Sequence, residues 1–237
     1  MQDIGDPLPI GREGDAVRGE VGRPRHKLAL RGIVARKLSL AQATDGVDPL
    51  AEVAAGPGLG NTPAVGAVVR ALLARANTPL VLDADALNAL AEQTDILSKL
   101  RRPLIITPHP GEFARLIGRS TAEIQGDRET HAVALAQADH LIVVLKGART
   151  VVTDGRRVYV NTTGNPGMAT GGSGDVLTGV IAALIGQKLP PFEAAQLGVH
   201  VHGLAGDIAR DQNGEIGMIA GDIVDSLPDA FEHLTQP

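Results

Sequence analysis

From about residue 50 onward, short apolar runs rich in β-branched residues alternate with longer stretches in which apolar side chains recur every three or four positions. The short runs at residues 52–55, 80–83, 104–107, 141–146, 150–153 and 157–161 predict strands. The longer stretches at 63–76, 111–117, 121–138, 175–185, 191–210 and 221–234 predict helices. Strand, crossover helix, strand is the pattern of an α/β fold whose mainly parallel sheet is covered on both faces. The last two strands are separated by a turn containing Asp154-Gly155, a dipeptide suited to a tight reversal, and predict an antiparallel hairpin at one edge. Ligands of open parallel sheets sit beyond the carboxyl ends of the strands, so the loops that follow strands are where chemistry is expected.

Those loops carry unusual residues. After the first strand comes Gly56-Pro57-Gly58-Leu59-Gly60, which is either a tight β-to-α connection or a backbone cradle for a phosphate-bearing ligand. After the second comes Asp83-Ala84-Asp85-Ala86-Leu87-Asn88. Here Asp85 either caps the following helix or joins Asp83 in holding Mg²⁺ through water, since oxygen ligands suit that ion. After the third, Thr107-Pro108-His109-Pro110-Gly111-Glu112 fixes one histidine between two prolines, which favours a ligand-contacting role for His109. By contrast, His200 and His202 lie two apart in a helical stretch, cannot share one helix face and read as packing or surface residues. The fourth strand ends in Lys146-Gly147-Ala148-Arg149-Thr150, where the lysine is either a solvated turn residue or a compact positive charge for phosphate oxygens.

Residues 165–175, Asn-Pro-Gly-Met-Ala-Thr-Gly-Gly-Ser-Gly-Asp, run straight into an apolar helix. Glycines turn backbone amides inward with no Cβ in the way, and the positive end of the helix favours an anion. Gly171, Gly172, Ser173 and Gly174 therefore predict a phosphate site. Asp175 at its edge is either a first-turn helix acid or a base that takes a proton from a hydroxyl about to be phosphorylated. Four post-strand loops and this turn converge on phosphoryl transfer.

Composition narrows the class. The chain has 237 residues, 43% of them hydrophobic, enough for one α/β domain. It has no cysteine, so disulfides and thiolate metal sites are excluded, and no apolar run approaches the ~20 residues of a membrane span. A net charge of −5 with three Phe, one Tyr and no Trp offers neither a basic surface nor stacking aromatics for nucleic acid. With no signal-peptide pattern, a cytoplasmic location is expected.

Taken in order, the Gly56 to Gly60 turn, the Asp83 to Asn88 segment, the His109 loop, the Lys146 turn with Thr150, and residues 165–175 resemble the ADP- or ATP-dependent NAD(P)H-hydrate dehydratases of the ribokinase-like superfamily. The resemblance covers residues 50–235. It implies a three-layer α/β/α sandwich with a mainly parallel central sheet and one antiparallel hairpin edge, in a dehydratase domain spanning 50–237. It further implies dehydration of the (S) epimer of hydrated NADH or NADPH, coupled to cleavage of ADP into AMP and phosphate through a phosphorylated intermediate. Asp175 would be the base. Gly58, Gly60, His109 and Asp175 would contact the hydrated cofactor. Lys146, Gly147, Ala148, Arg149, Thr150, Asn165, Gly171, Gly172, Ser173 and Gly174 would hold the nucleotide, ADP or ATP, with Mg²⁺. Relatives often assemble as homo-oligomers, tetramers among them.

Such dehydratases usually open with a strand, a glycine-rich turn and an Ala-rich helix, and residues 1–49 match none of these. That segment, dense in Arg, Gly and Pro between residues 11 and 37, is expected to be irregular or divergent, leaving a neighbouring strand as an edge and the pocket short of a wall. The chain has no room for a fused epimerase, so a separate NAD(P)H-hydrate epimerase is the expected functional partner. Two alternatives share the same residues. One is a kinase of the same superfamily acting on a vitamin-precursor alcohol. The other is a nucleotide-binding protein whose altered N-terminus leaves it without catalysis.

Overall fold

Each central strand is apolar on both faces, and this organises the molecule. In the computed structural model, which describes residues 53–75, 78–91, 96–97, 100 and 103–235, six strands form one sheet in the order β1 to β6. These are β1 (Val53–Ala55), β2 (Leu80–Leu82), β3 (Leu104–Ile106), β4 (Ile142–Leu145), β5 (Val151–Thr153) and β6 (Val158–Val160). The first four are parallel, and β4, β5 and β6 pair antiparallel in turn. This is the mainly parallel sheet with a hairpin edge that the pattern predicts. The segment 1–49, expected to be irregular, lies outside the described residues.

Successive strand residues face opposite sides. Leu80, Leu82, Leu104, Ile106, Val143, Leu145 and Val151 enter one core, covered by α1 (Pro63–Arg75), α2 (Ala84–Asn88), α3 (Pro110–Ile117), α4 (Thr121–Gly126) and α5 (Arg128–Asp139). Val81, Ile105, Ile142, Val144 and Val152 enter the other, covered by α6 (Ser173–Gly186), α7 (Pro191–Asn213) and α8 (Ala220–Thr235). The result is three layers, helix over sheet over helix.

The stretch expected as one helix over 121–138 is two helices. The backbone leaves helical geometry at Asp127, at φ −152° and ψ 74°, and the Asp127 carboxylate accepts from the Thr130 amide to cap α5. A short polar residue that satisfies a free first-turn amide starts a new helix more cheaply than it continues an old one.

On α7, two glycines let the helix lie against the loop that follows β6. A Cβ on Gly203 would stand 2.2 Å from Thr163 Oγ1 and 2.8 Å from the Thr163 backbone, and one on Gly206 would stand 2.2 Å from Met168 Sδ. This close approach sets the far wall of the site.

Candidate active site

The carboxyl ends of β1 to β4 converge on one buried carboxylate. Asp83, directly after β2, is 1% exposed. Its Oδ1 lies 2.6 Å from Lys146 Nζ, from the end of β4, and its Oδ2 accepts from Thr178 Oγ1 of α6 at 2.9 Å. A buried carboxylate persists only when it is paired and hydrogen-bonded, and here both oxygens are engaged. Lys146 is accordingly no solvated turn residue. Its ammonium is drawn under the first turn of α6, where a Cβ on Gly174 would meet Nζ at 3.1 Å.

Asp85 does not cap a helix with its side chain. Its Oδ2 accepts from the Gly60 amide at 2.8 Å, tying the Gly56 to Gly60 turn to the end of β2.

His109 is held at both ends. Its Nδ1 accepts from the amides of Gly111 at 3.0 Å and Glu112 at 3.3 Å, while Glu112 Oε2 accepts from the His109 amide at 2.8 Å. This reciprocal cap at the start of α3 satisfies three free amides. Because Nδ1 accepts, the neutral ring carries its proton on Nε2, and the half-exposed ring faces the cavity described below.

Gly172, at φ +88°, adopts a left-handed backbone open to glycine and turns the chain into α6, so that Asp175 is the third residue of the helix. The Asp175 side chain is exposed. Partial desolvation pushes its pKa up, the Asp83 and Asp85 carboxylates push it further, and Lys146 pulls it back. A carboxylate that binds a proton more readily than usual suits a general base.

A cavity of about 800 Å³ opens beside this cluster. Lys146, Gly147, Ala148, Arg149 and Thr150 line one side, and Asn165, Ser173, Gly174 and His202 line another, with His109 also on its wall. Gly58, Gly60, Gly171, Gly172 and Asp175 are not on that wall. Gly60 and Asp175 belong to the group gathered around Asp85, Asp83 and Lys146.

The loop over residues 162–168 is pinned to α7. Asp207 accepts from the Gly164 amide at 2.8 Å and from Asn165 Nδ2 at 3.0 Å, and the same Nδ2 lies 2.9 Å from the Gly206 carbonyl. Asn165 Oδ1 in turn accepts from the Gly167 amide. Asn165 is therefore a brace of the loop as well as a wall residue.

Three residues in this region have environments that the sequence pattern did not state, although the first of them, His202, was expected to be a packing or surface residue. His202 is buried on the cavity wall, and its Nε2 lies 3.0 Å from the Ser173 carbonyl and 3.4 Å from Ser173 Oγ. A carbonyl only accepts, so Nε2 carries the proton, and burial holds the ring neutral by lowering its pKa to about 4. His200 instead meets the Tyr159 hydroxyl. The period-2 spacing that separates the two rings onto different faces was the available signal. Asp207 carried no signal beyond its place on a helix. The third, Arg128, was concealed by the undivided helix, although Gly126-Asp127 with Thr130 three residues on is a helix-start pattern.

Comparison with known proteins agrees with this geometry. A family profile described as NAD(P)H-hydrate dehydratase matches residues 25–229. The chain is 51% identical over 205 residues to the bifunctional NAD(P)H-hydrate repair enzyme Nnr of Moorella thermoacetica, a match covering 83% of this chain and 38% of that protein. It is 42% identical over 175 residues to the ADP-dependent (S)-NAD(P)H-hydrate dehydratase of Neisseria meningitidis, covering 72% of this chain and 59% of that one. Among solved structures, the ADP/ATP-dependent NAD(P)H-hydrate dehydratase from Bacillus subtilis, co-crystallised with ATP and Mg²⁺, superposes with a TM-score of 0.71 at 35% identity, covering 77% of this chain and 64% of that chain. The chain thus matches under two fifths of the length of the Moorella relative. Among the described residues, no helix is long and apolar enough to cross a membrane.

Proposed function

Because the chain belongs to the NAD(P)H-hydrate dehydratase family, we propose that it restores hydrated NADH and NADPH by removing water from the (S) epimer, with ADP cleaved to AMP and phosphate. One observation carries this reading above the others. Asp175 stands at the positive end of α6, directly after the glycine turn and within the charge field of Lys146, next to a cavity large enough for a nucleotide.

Asp175 takes the proton of the ring hydroxyl as the nucleotide's terminal phosphoryl group moves onto that oxygen and AMP departs. The amides of Gly171, Gly172 and Gly174 and the dipole of α6 meet the charge on the transferring group. The carbon–oxygen bond then breaks, with phosphate taking the bonding electrons as the ring nitrogen's lone pair moves in. Loss of a proton from the adjacent ring carbon restores the reduced nicotinamide. The substrate supplies the electrons, so the protein needs only to position groups and stabilise charge. Gly58, Gly60 and His109 hold the hydrated cofactor beside Asp175, while Lys146 through Thr150 and Asn165 hold the nucleotide.

Mg²⁺ fits the donor set in one manner. Both Asp83 oxygens and one Asp85 oxygen are engaged by protein groups, and among the described residues no group of three or more His, Asp or Glu is placed to cage a metal. The second oxygen of Asp85 would hold the ion together with water and nucleotide phosphates, the usual habit of Mg²⁺. When bound, it supplies positive charge to the transferring phosphoryl group. An epimerase would deliver the (S) hydrate from the mixed epimers.

The test is recovery of the reduced-nicotinamide absorbance when the protein meets hydrated NADH, Mg²⁺ and either ADP or ATP. Recovery that requires the nucleotide, is faster with ADP and is abolished by Asp175→Asn without loss of ADP binding is expected. A superfamily kinase shares the turn and the base but would give no recovery. Undiminished turnover in Asp175→Asn would end the assignment of the base.

A further inference from the structure

Arg128, the first residue of α5, reaches the turn between β4 and β5 and is surrounded there by carbonyl oxygens. Its Nη2 donates to the carbonyls of Leu145 at 2.7 Å and Lys146 at 2.9 Å, and Nη1 donates to that of Ala148. The next carbonyl, Gly147, accepts from Thr150 Oγ1 at 2.9 Å. The carbonyls of Leu145, Lys146 and Ala148 are thereby gathered on the guanidinium, and that of Gly147 is held by Thr150. The guanidinium fills the space behind the glycine, where a Cβ on Gly147 would meet its nitrogens at 3.2 and 3.3 Å. Gly147, at φ +131°, and Arg149, at φ +57°, take the left-handed conformations this folding-back demands.

The other side of the turn follows by geometry. Among the described residues, the amides of Gly147, Ala148 and Arg149 donate to no protein group, and these three residues lie on the wall of the cavity. Successive amides freed and aimed together form a concave site for an anion. The charge behind it is not cancelled, because among the described residues no carboxylate lies within ion-pair distance of Arg128. Its Nε is buried without a partner. A half-buried cation that costs stability in these ways is a poor device for merely closing a hairpin, which Gly and Asn close unaided. It suits a turn whose purpose is to present amides.

We propose that Arg128 is a positioning residue for the nucleotide: by collecting the carbonyls of Leu145, Lys146 and Ala148 on its guanidinium fork, it aims the Gly147 to Arg149 amides at the phosphates of the bound nucleotide and places a positive charge behind them. This rests on the cavity being the nucleotide site. Lysine does not replace it, because a single ammonium cannot span the three oxygens that a planar fork reaches.

The experiment is calorimetric titration of ADP, and separately of hydrated NADH, into the wild type, Arg128→Lys and Arg128→Ala. Arg128→Ala is expected to weaken ADP by about tenfold or more while leaving hydrated NADH within about twofold, and Arg128→Lys to recover little of the difference. Guanidinium ion in the tens of millimolar, well below denaturing levels, should restore ADP affinity to Arg128→Ala alone. Wild-type ADP affinity in Arg128→Ala would overturn the proposal. So would parallel loss of both ligands with no rescue by guanidinium, the mark of a purely structural residue. Because the readout is binding, a wild type that binds ADP in an Arg128-dependent manner yet restores no NADH would refute the dehydratase reading and leave this one standing.

Discussion

Acidification from pH 7 to pH 5 should weaken the fold through His202, and the size of the effect follows from its burial. The ring titrates near 6.5 when exposed and at about 4 in the folded protein, because the buried site disfavours the imidazolium. Between those values the unfolded chain binds a proton that the folded chain does not, so stability falls as pH falls. The contribution is fully present above the unfolded pKa and is lost as pH drops toward the folded one. Integrated from pH 7 to pH 5, the linkage amounts to about 2 kcal/mol, and it approaches about 3 kcal/mol by pH 4. The upper window is preferred because most carboxylates remain ionised there. The assay is urea unfolding followed by far-ultraviolet circular dichroism, since the chain has no Trp to report by fluorescence. His202→Gln, which keeps an N–H near the Ser173 carbonyl but cannot charge, should lose about 2 kcal/mol less than the wild type over the same window. Equal losses in the two proteins would refute the argument and would mean that the ring takes up its proton without penalty.

The other expectations concern the buried pair and the loop wall. Asp83→Ala leaves the partly buried Lys146 without its ion-pair partner and should cost about 3 kcal/mol in urea unfolding, whereas pairing it with Lys146→Met should recover a large part of that loss. Asp83→Asn removes a carboxylate that raises the Asp175 pKa, so the acid limb of the kcat/KM profile should move to lower pH; a shift the other way would contradict the charge arrangement. Gly203→Ala places a methyl against Thr163 and should cost about 1–3 kcal/mol, with weaker ADP binding because residues 162–168 must move outward.

Much of the architecture was legible because the strands announce themselves locally. The β-branched runs at 80–82, 104–106 and 142–145 are apolar at every position, which is what a strand buried on both faces requires, and their ends fell within a residue or two of the expected bounds. The hairpin was marked by Asp154-Gly155. Helix division at Asp127 was missed because the buried positions Ile124, Ala132 and Ala136 keep a spacing through the break that one continuous helix would also give. At the site, the loops were legible but their internal pairings were not. Asp83 meets Lys146 across 63 residues and Thr178 across 95, and no local pattern states which partners a sheet will bring together. The environment of His202 was hidden for a related reason: its ring is bonded to Ser173, 29 positions away.

The two helical layers are also segregated along the chain. Among the described residues, every helix covering the Val81, Ile105, Val144 and Val152 face begins at residue 173 or later. During synthesis, therefore, the sheet strands emerge with one apolar face bare, and that face remains uncovered until α6 and α7 have cleared the ribosome. A half-made chain of this kind presents a broad sticky surface at the stage when chains are most prone to misassociation. Its yield in the cell should accordingly depend on chaperone supply and on the speed at which the last quarter is translated.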